Sequence, residues 1–515
     1  MVSEFRNEPL TDFNQPANKK AMQEALTKVR AEFNREYPII IDGEGACANY
    51  KIRSINPANK TEIVGTTQKG SSEMAKKAIA AAKEKFTEWK YTPATKRADY
   101  LFNMAEILRA RKHEFSATMV YEIGKSWAEA DADTAEAIDF CEFYAREALR
   151  YAEKQPVVPY PGENNELVYL PLGVGAIIPP WNFPLAILVG MTTAAIVTGN
   201  TVVLKPASDT TIIAAKFVEA TIEAGLPSGV LNFVTGSGAD VGETLITSPD
   251  IRFISFTGSK EVGLHIVEES GKTRPDQKWI KRYVVEMGGK DAIIVDDECD
   301  LDAAVEGVAL SAYGFQGQKC SACSRAIVSE KVYDEFLNKL TERVKKIKVG
   351  PTENFENYMG PVASQAQYTK IMEYIQIGQK EGRLLFGGEG HDDQGFFIQP
   401  TIFADVAPTA RIAQEEIFGP VLAVIKAKNF DDALKIANGT DYGLTGGVFT
   451  KNKDKLAKAK HEFFVGNLYL NRKCTGALVG VQPFGGFNMS GTDSKAGGRD
   501  YLLQFMQAKS ICEKL

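Results

Sequence analysis

Histidine is scarce in this chain, with four in 515 residues. His113, His265, His391 and His461 form no H-x-x-x-H pair and sit beside no cysteine cluster, so no zinc ligand set is visible and no metal is expected. Cysteine is sparse too. The seven residues Cys47, Cys141, Cys299, Cys320, Cys323, Cys474 and Cys512 are too scattered for a disulfide framework. Their odd number leaves at least one thiol free, which suits a reducing, cytoplasmic location. An excess of positive charge is missing: the net charge of −6 excludes nucleic-acid binding through a broad basic field. Long apolar runs are missing as well. The longest apolar stretch without charge or proline, residues 185–199, falls short of the ~20 residues of a membrane span and contains Thr192, Thr193 and Thr198. It reads as a buried helix, and no membrane partner is expected. The opening MVSEFRNEPLTDF carries Glu4, Glu8 and Asp12 without an apolar core, unlike a secretory signal or an acid-poor transit peptide.

What is present is ordinary globular material. A hydrophobic fraction of 44% is ample for a core and excludes disorder. At about 150 residues per domain, the length suits three compact units or two large ones. Residues 18–35 show apolar positions at helical spacing ahead of a strand-like run at 38–41, and helical patterns dominate residues 71–152. From residue 173 short β-branched runs (173–178, 201–204, 230–234, 253–256 and 283–285) alternate with helix-length gaps. That alternation is the mark of βαβ units feeding a mostly parallel sheet. A second alternation follows Gly288-Gly289. Helices are expected at 301–313, 333–346, 365–380 and 431–437, with strands at 326–328, 421–425, 447–450 and 466–470. No repeat or low-complexity linker separates the two halves, so they should pack closely.

Three glycine turns follow expected strands. Gly236-Ser237-Gly238 with Gly242, and Gly173-Val174-Gly175, are each off the dinucleotide fingerprint. Phe256-Thr257-Gly258-Ser259-Lys260-Glu261-Val262-Gly263 opens a helix whose free N–H groups suit an anion, or it needs glycine only for its turn. Cys320, in a turn between a helix and a strand, is either a small buried residue or a nucleophile activated by Lys319, Arg325 and the turn's N–H groups. Glu286 ends an apolar strand against Gly288-Gly289. It is either a satisfied strand-end acid or a general base with a pKa raised by burial.

Ile178 to Pro184 (IPPWNFP), Leu204-Lys205-Pro206, Phe256 to Gly263, Glu286 to Gly289, Gly317 to Cys320, Glu415 to Pro420 (EEIFGP) and Pro483 to Phe487 (PFGGF) occur together and in order. The set resembles the NAD(P)-dependent aldehyde dehydrogenase superfamily over nearly the whole chain. Within it, Gly317 to Arg325, Cys474 to Ala477, Phe487 to Thr492 and the long N-terminal helix are most similar to the bacterial branch that oxidises L-glutamate γ-semialdehyde, the open form of 1-pyrroline-5-carboxylate. The resemblance implies an α/β fold with a Rossmann-like cofactor domain (residues 1–152 and 171–288), an α/β catalytic domain (289–490) and a small β oligomerisation flap (153–170 and 491–515). A projecting hairpin buries little within its own subunit, so a homo-oligomer, at least a dimer, is expected.

The same resemblance implies the roles. Cys320 attacks the aldehyde, the Asn182 amide and the Cys320 N–H hold the alkoxide, and Glu286 activates the hydrolytic water. Lys205 and Glu416 match ribose-binding residues, Phe418 a packing partner, Ser259 the pyrophosphate residue, Trp181 a cleft wall and Gly238 an adenine-side turn. The Ser321 hydroxyl and the Gly476 and Ala477 N–H groups would take the substrate carboxylate, with Phe183 and Phe484 gripping the aliphatic stem. The cofactor is NAD or NADP. Ser208 stands where NAD-preferring members carry an acid, which would admit NADP unless Asp209 restores the repulsion. Cys323 is either packed or able to crosslink to Cys320 under oxidation. The rivals are a dehydrogenase of another semialdehyde or small aldehyde, betaine aldehyde among them, and a thiol redox protein built on Cys320-x-x-Cys323.

Overall fold

The computed structural model describes residues 3–515. Its first sheet runs Arg282–Glu286, Phe253–Thr257, Val174–Ile178, Thr201–Leu204, Leu231–Phe233, Ile39–Ile41 and Glu44–Ala46. The first five strands are parallel; Ile39–Ile41 joins them antiparallel, and Glu44–Ala46 pairs antiparallel with it in turn. Strand order reverses between Phe253–Thr257 and Val174–Ile178, and a crevice opens at such a reversal beyond the carboxyl ends of the strands. Into it lead Pro179 to Asn182 from one strand and Gly258-Ser259 from the other. Helix Ala186–Val197 packs behind, buried almost all round as its uniformly apolar sequence requires.

The second sheet runs Arg383–Phe386, Thr401–Ala404, Val421–Ala427, Arg325–Ser329, Ala292–Val295, Thr445–Phe449 and Asn467–Leu470, with only the first strand antiparallel. Glu286 closes a strand of the first sheet, whereas Cys320 and Asp291 precede strands of the second. The site therefore lies where the carboxyl ends of one sheet meet the amino ends of the other.

The first helix is Pro16–Ala31, burying Met22, Leu26 and Val29 at helical spacing. It stops short of residue 35 because the chain reverses at Asn34 (φ 67°) to start strand Arg35–Tyr37. Within residues 153–170 and 491–515, Glu163–Pro171 and Met506–Lys514 form an isolated antiparallel ribbon. Tyr501, Leu502 and Phe505 are instead buried in the core beneath the first sheet, so only the last strand of the C-terminal segment leaves the body.

Candidate active site

The chain enters Cys320 through three residues in the left-handed region, Phe315 (φ 47°), Gln316 (φ 57°) and Gly317 (φ 67°). Two of them carry a Cβ, at a cost of about 1–2 kcal/mol each, so neighbours must hold the turn. Gln316 Nε2 donates to Gly124 O (3.0 Å) and Pro361 O (2.8 Å), and Gln318 Oε1 accepts from Ala363 N (2.9 Å). A Cβ on Gly317 would stand 2.4 Å from Gly419 O, which restricts that position to glycine. Held this way, Cys320 faces two cavities at once. Asn182 Nδ2 donates to Gln318 O at 3.1 Å and keeps its second proton. The Cys320 N–H has no acceptor among the described residues.

Lys319 and Arg325 do not supply the expected positive field. Lys319 Nζ pairs with Glu129 Oε1 at 2.6 Å, and Arg325 spends its donors on the carbonyls of Lys290, Ile436 and Ala437. Burial, and then the carboxylates of Asp291, Glu416 and Glu286, push the Cys320 thiol up. The surroundings of Cys320 therefore favour the neutral thiol.

Glu286 faces the smaller cavity together with Cys320. Its carboxylate accepts from Ser494 Oγ (2.8 Å), Ser494 N (3.0 Å) and Gly486 N (3.1 Å). Burial outweighs those bonds and pushes the group up to about 7, within general-base range.

The larger cavity, about 630 Å³, is lined by Trp181, Lys205, Gly238, Ser259, Glu416 and Phe418, which are six of the seven residues matched to the cofactor, and by both oxyanion residues, Asn182 and Cys320. Trp181 meets Phe418 edge to face at 5.3 Å. Gly289 N donates to Glu416 Oε1 at 2.9 Å, and a Cβ on Gly288 would stand 2.2 Å from the same oxygen, so the glycine pair lets the carboxylate close in. Ser259 caps helix Lys260–Ser270 through Val262 N, with further free N–H groups at the crevice for an anion. Burial lowers Lys205 to about 8. A dinucleotide fits this set: ribose donors and acceptors, an anion-binding helix start, and open space above Gly238. Ser208 is the exception. It is exposed, and the wall at that point is Ala207. Glu243 and His265, joined at 2.8 Å, also line this cavity and were missed by sequence reasoning.

The smaller cavity, about 120 Å³, is lined by Phe183, Ser321, Gly476, Ala477 and Phe484, all five expected substrate residues. Gly476 takes φ 76°, and Arg472 Nη2 holds the carbonyls of Thr475 (2.9 Å) and Gly476 (3.2 Å). Those bonds turn the peptide so that the Gly476 and Ala477 N–H groups have no acceptor among the described residues. Glu136 lines the same cavity and was not foreseen; burial pushes it up to about 8. It carries little signal in the sequence, because Asp133 and Asp139 stand three residues either side of it on the same helix face.

Cys323 is buried in the core of the second sheet, its thiol on Arg325 O at 3.4 Å. Cys474 lies in the same core, its thiol on Ser321 O at 3.4 Å. Among the described residues no group of three or more His, Cys, Asp or Glu is placed to hold a metal ion.

Residues 45–511 match the aldehyde dehydrogenase family. The chain is 60% identical over 513 residues, covering all of both chains, to a 1-pyrroline-5-carboxylate dehydrogenase of Geobacillus sp. (strain WCH70). Among solved structures, a 1-pyrroline-5-carboxylate dehydrogenase from Thermus with bound NAD superposes with a TM-score of 0.98 at 52% identity, with full coverage of both chains. Betaine aldehyde dehydrogenase from Staphylococcus aureus in complex with NAD+ superposes at 0.89 with 28% identity, covering 96% of this chain and 97% of that one.

Proposed function

The chain belongs to the aldehyde dehydrogenase family, and from that premise we propose that it oxidises L-glutamate γ-semialdehyde to L-glutamate, with NAD as oxidant, in proline catabolism. The observation that carries the substrate is the unpartnered donor set at the end of the small cavity. The Gly476 and Ala477 N–H groups, with the Ser321 hydroxyl beside them, suit a carboxylate. Glu136 in the same cavity suits an ammonium, so the site reads both charges of an amino acid. A quaternary ammonium aldehyde would leave the anion donors unpaired, which costs binding.

Chemistry begins with Cys320. Its sulfur bonds to the aldehyde carbon as its proton passes to solvent through the open cavity, and the oxygen takes up negative charge between Asn182 Nδ2 and the Cys320 N–H. Lys205, Ser259, Glu416 and Phe418 would hold NAD, which would supply the oxidant for removal of a hydride from the carbon on Cys320. Glu286 then takes a proton from water, the hydroxide oxygen adds to the thioester carbon, and the Cys320 thiolate leaves.

The ribbon of Glu163–Pro171 and Met506–Lys514 is largely unburied within the subunit, and a two-stranded ribbon alone is marginal in water. Its exposure supports pairing with a second copy, in a homo-oligomer that is at least a dimer. Seven unpaired cysteines support a cytoplasmic location. No helix among the described residues is long and apolar enough to cross a membrane.

A panel of glutamate, succinate, betaine and simple aliphatic aldehydes, followed by absorbance of reduced nicotinamide, tests the assignment. The amino-acid aldehyde should give the highest kcat/KM. A higher value for any of the others overturns it.

A further inference from the structure

The segment 485–494 is wound onto the end of the strand that carries Glu286. Met287 N donates to Ser490 O at 2.7 Å and Thr492 N to Val285 O at 2.9 Å, while the Thr492 hydroxyl accepts from Val285 N at 3.1 Å. A Cβ on Gly491 would stand 2.4 Å from Glu286 Oε2, so this close approach needs glycine. The winding delivers Ser494, itself only 4% exposed, to the wall of the aldehyde cavity.

An ionised carboxylate offers about four acceptor positions. Ser494 fills both positions of Oε1, through Oγ at 2.8 Å and N at 3.0 Å. Oε2 has one donor, Gly486 N at 3.1 Å, and one position left. No cation shares the load. Lys495, on the same segment, is turned to Asp493 Oδ1 (2.8 Å) and to the carbonyls of Gly466 (2.8 Å) and Gly485 (3.0 Å). The other titratable groups facing Glu286 are Asp493, Cys320 from the nucleophile turn and Tyr501 from the C-terminal turn. Neutral donors alone favour the anion here. They orient it without draining its basicity as an ammonium or guanidinium would.

We propose that Ser494 is a positioning residue for deacylation: it commits one oxygen of Glu286 to the protein and leaves the other aimed to take the proton of the attacking water. The proton passes from water to Oε2, the hydroxide oxygen bonds to the thioester carbon, and the carbon–sulfur bond breaks to return Cys320 thiolate. Ser494 exchanges no proton itself. The proposal rests on Glu286 being the deacylation base.

The test compares Ser494→Ala, Ser494→Thr and Glu286→Gln in stopped-flow runs from pH 6 to 9 with NAD and glutamate semialdehyde. Ser494→Ala should keep the rapid burst of reduced cofactor. Its steady turnover at pH 7 should fall about tenfold, and the acidic limb should move up by about one pH unit, the effect of losing one hydrogen bond to a charged group. Ser494→Thr, which keeps the hydroxyl, should restore the limb. A loss of equal size at every pH marks a merely structural serine and overturns the proposal, as does an unmoved limb. If Ser494→Ala does not fold, Ser494→Cys, with its weaker donor, is expected to show a smaller shift of the same sign, and no shift there overturns the proposal equally. Full steady turnover in Glu286→Gln would instead overturn the base assignment, a result separable from failure at Ser494.

Discussion

Lys125 Nζ lies 4.0 Å from the centroid of the Phe183 ring, joining the wall of the aldehyde cavity to a buried ion pair. The same ammonium stands 4.7 Å from the Phe315 ring and 2.6 Å from Asp133 Oδ2, with both charged side chains fully buried. Asp133 in turn accepts from Ala186 N at 2.6 Å at the start of the helix behind Phe183. One cation thus ties the expected stem-gripping ring to the strained turn before Cys320. Lys125→Met leaves Asp133 buried without its partner and should cost about 3–5 kcal/mol. Adding Asp133→Asn should recover at least half of that in denaturant melts. A single-variant cost below about 1 kcal/mol would contradict the pairing.

Cys320 should behave as a thiol and not as a resting thiolate. Its pKa is raised, so the fraction ionised near pH 7 is small and grows about tenfold for each pH unit. Iodoacetamide labelling of Cys320, read by peptide mass, should therefore be slow at pH 7 and rise steeply to pH 9. A plateau reached below pH 8 would show a lowered pKa and a cation not accounted for.

Much of this was legible in contiguous motifs. Cys320 and Glu286 each stand in a short run that left a structural and a functional reading open, the ordered set of motifs chose between them and added Asn182, and strand–helix alternation announced both sheets. What stayed hidden depends on distant segments meeting. Ser494 reaches Glu286 across 208 residues, and nothing local to Ser494 marks it. Lys319 and Arg325 looked like activators because they flank Cys320 in sequence, yet side chains in a tight turn diverge, and theirs found Glu129 and backbone carbonyls. Ser208 lies outside the cavity lining, next to Ala207, which is part of it. A helical turn, Ser208–Thr210, begins there and carries the side chain outward.

Glu136 should read the amino group of the substrate. Burial holds Glu136 protonated near pH 7 until an ammonium binds beside it; Glu136→Gln removes the carboxyl that the ammonium would ionise, at nearly constant shape, and should raise KM for the amino-acid aldehyde about tenfold, the value of one charge-assisted hydrogen bond. Succinate semialdehyde, which lacks the amino group, should be affected less than threefold by the same change. Equal losses for both substrates would place the ammonium elsewhere.

Cofactor choice should follow Glu243 and not Ser208. Glu243 lines the cleft half-exposed beside His265, so its repulsion of a 2′-phosphate is worth about 1 kcal/mol. Glu243→Gln should tighten NADP about fivefold relative to NAD, read as Kd by calorimetry. Ser208→Glu should leave the ratio within about twofold. A large loss of NADP binding in Ser208→Glu would return the selectivity to that turn.

The division of labour between Cys320 and Glu286 is tested most directly by rapid mixing of Glu286→Gln with NAD and glutamate semialdehyde, followed by mass analysis of the quenched protein. The account predicts one equivalent of reduced nicotinamide per active site, then near arrest, with the acyl mass on the peptide that carries Cys320. Arrest without a burst, or a burst with no adduct on Cys320, would contradict it.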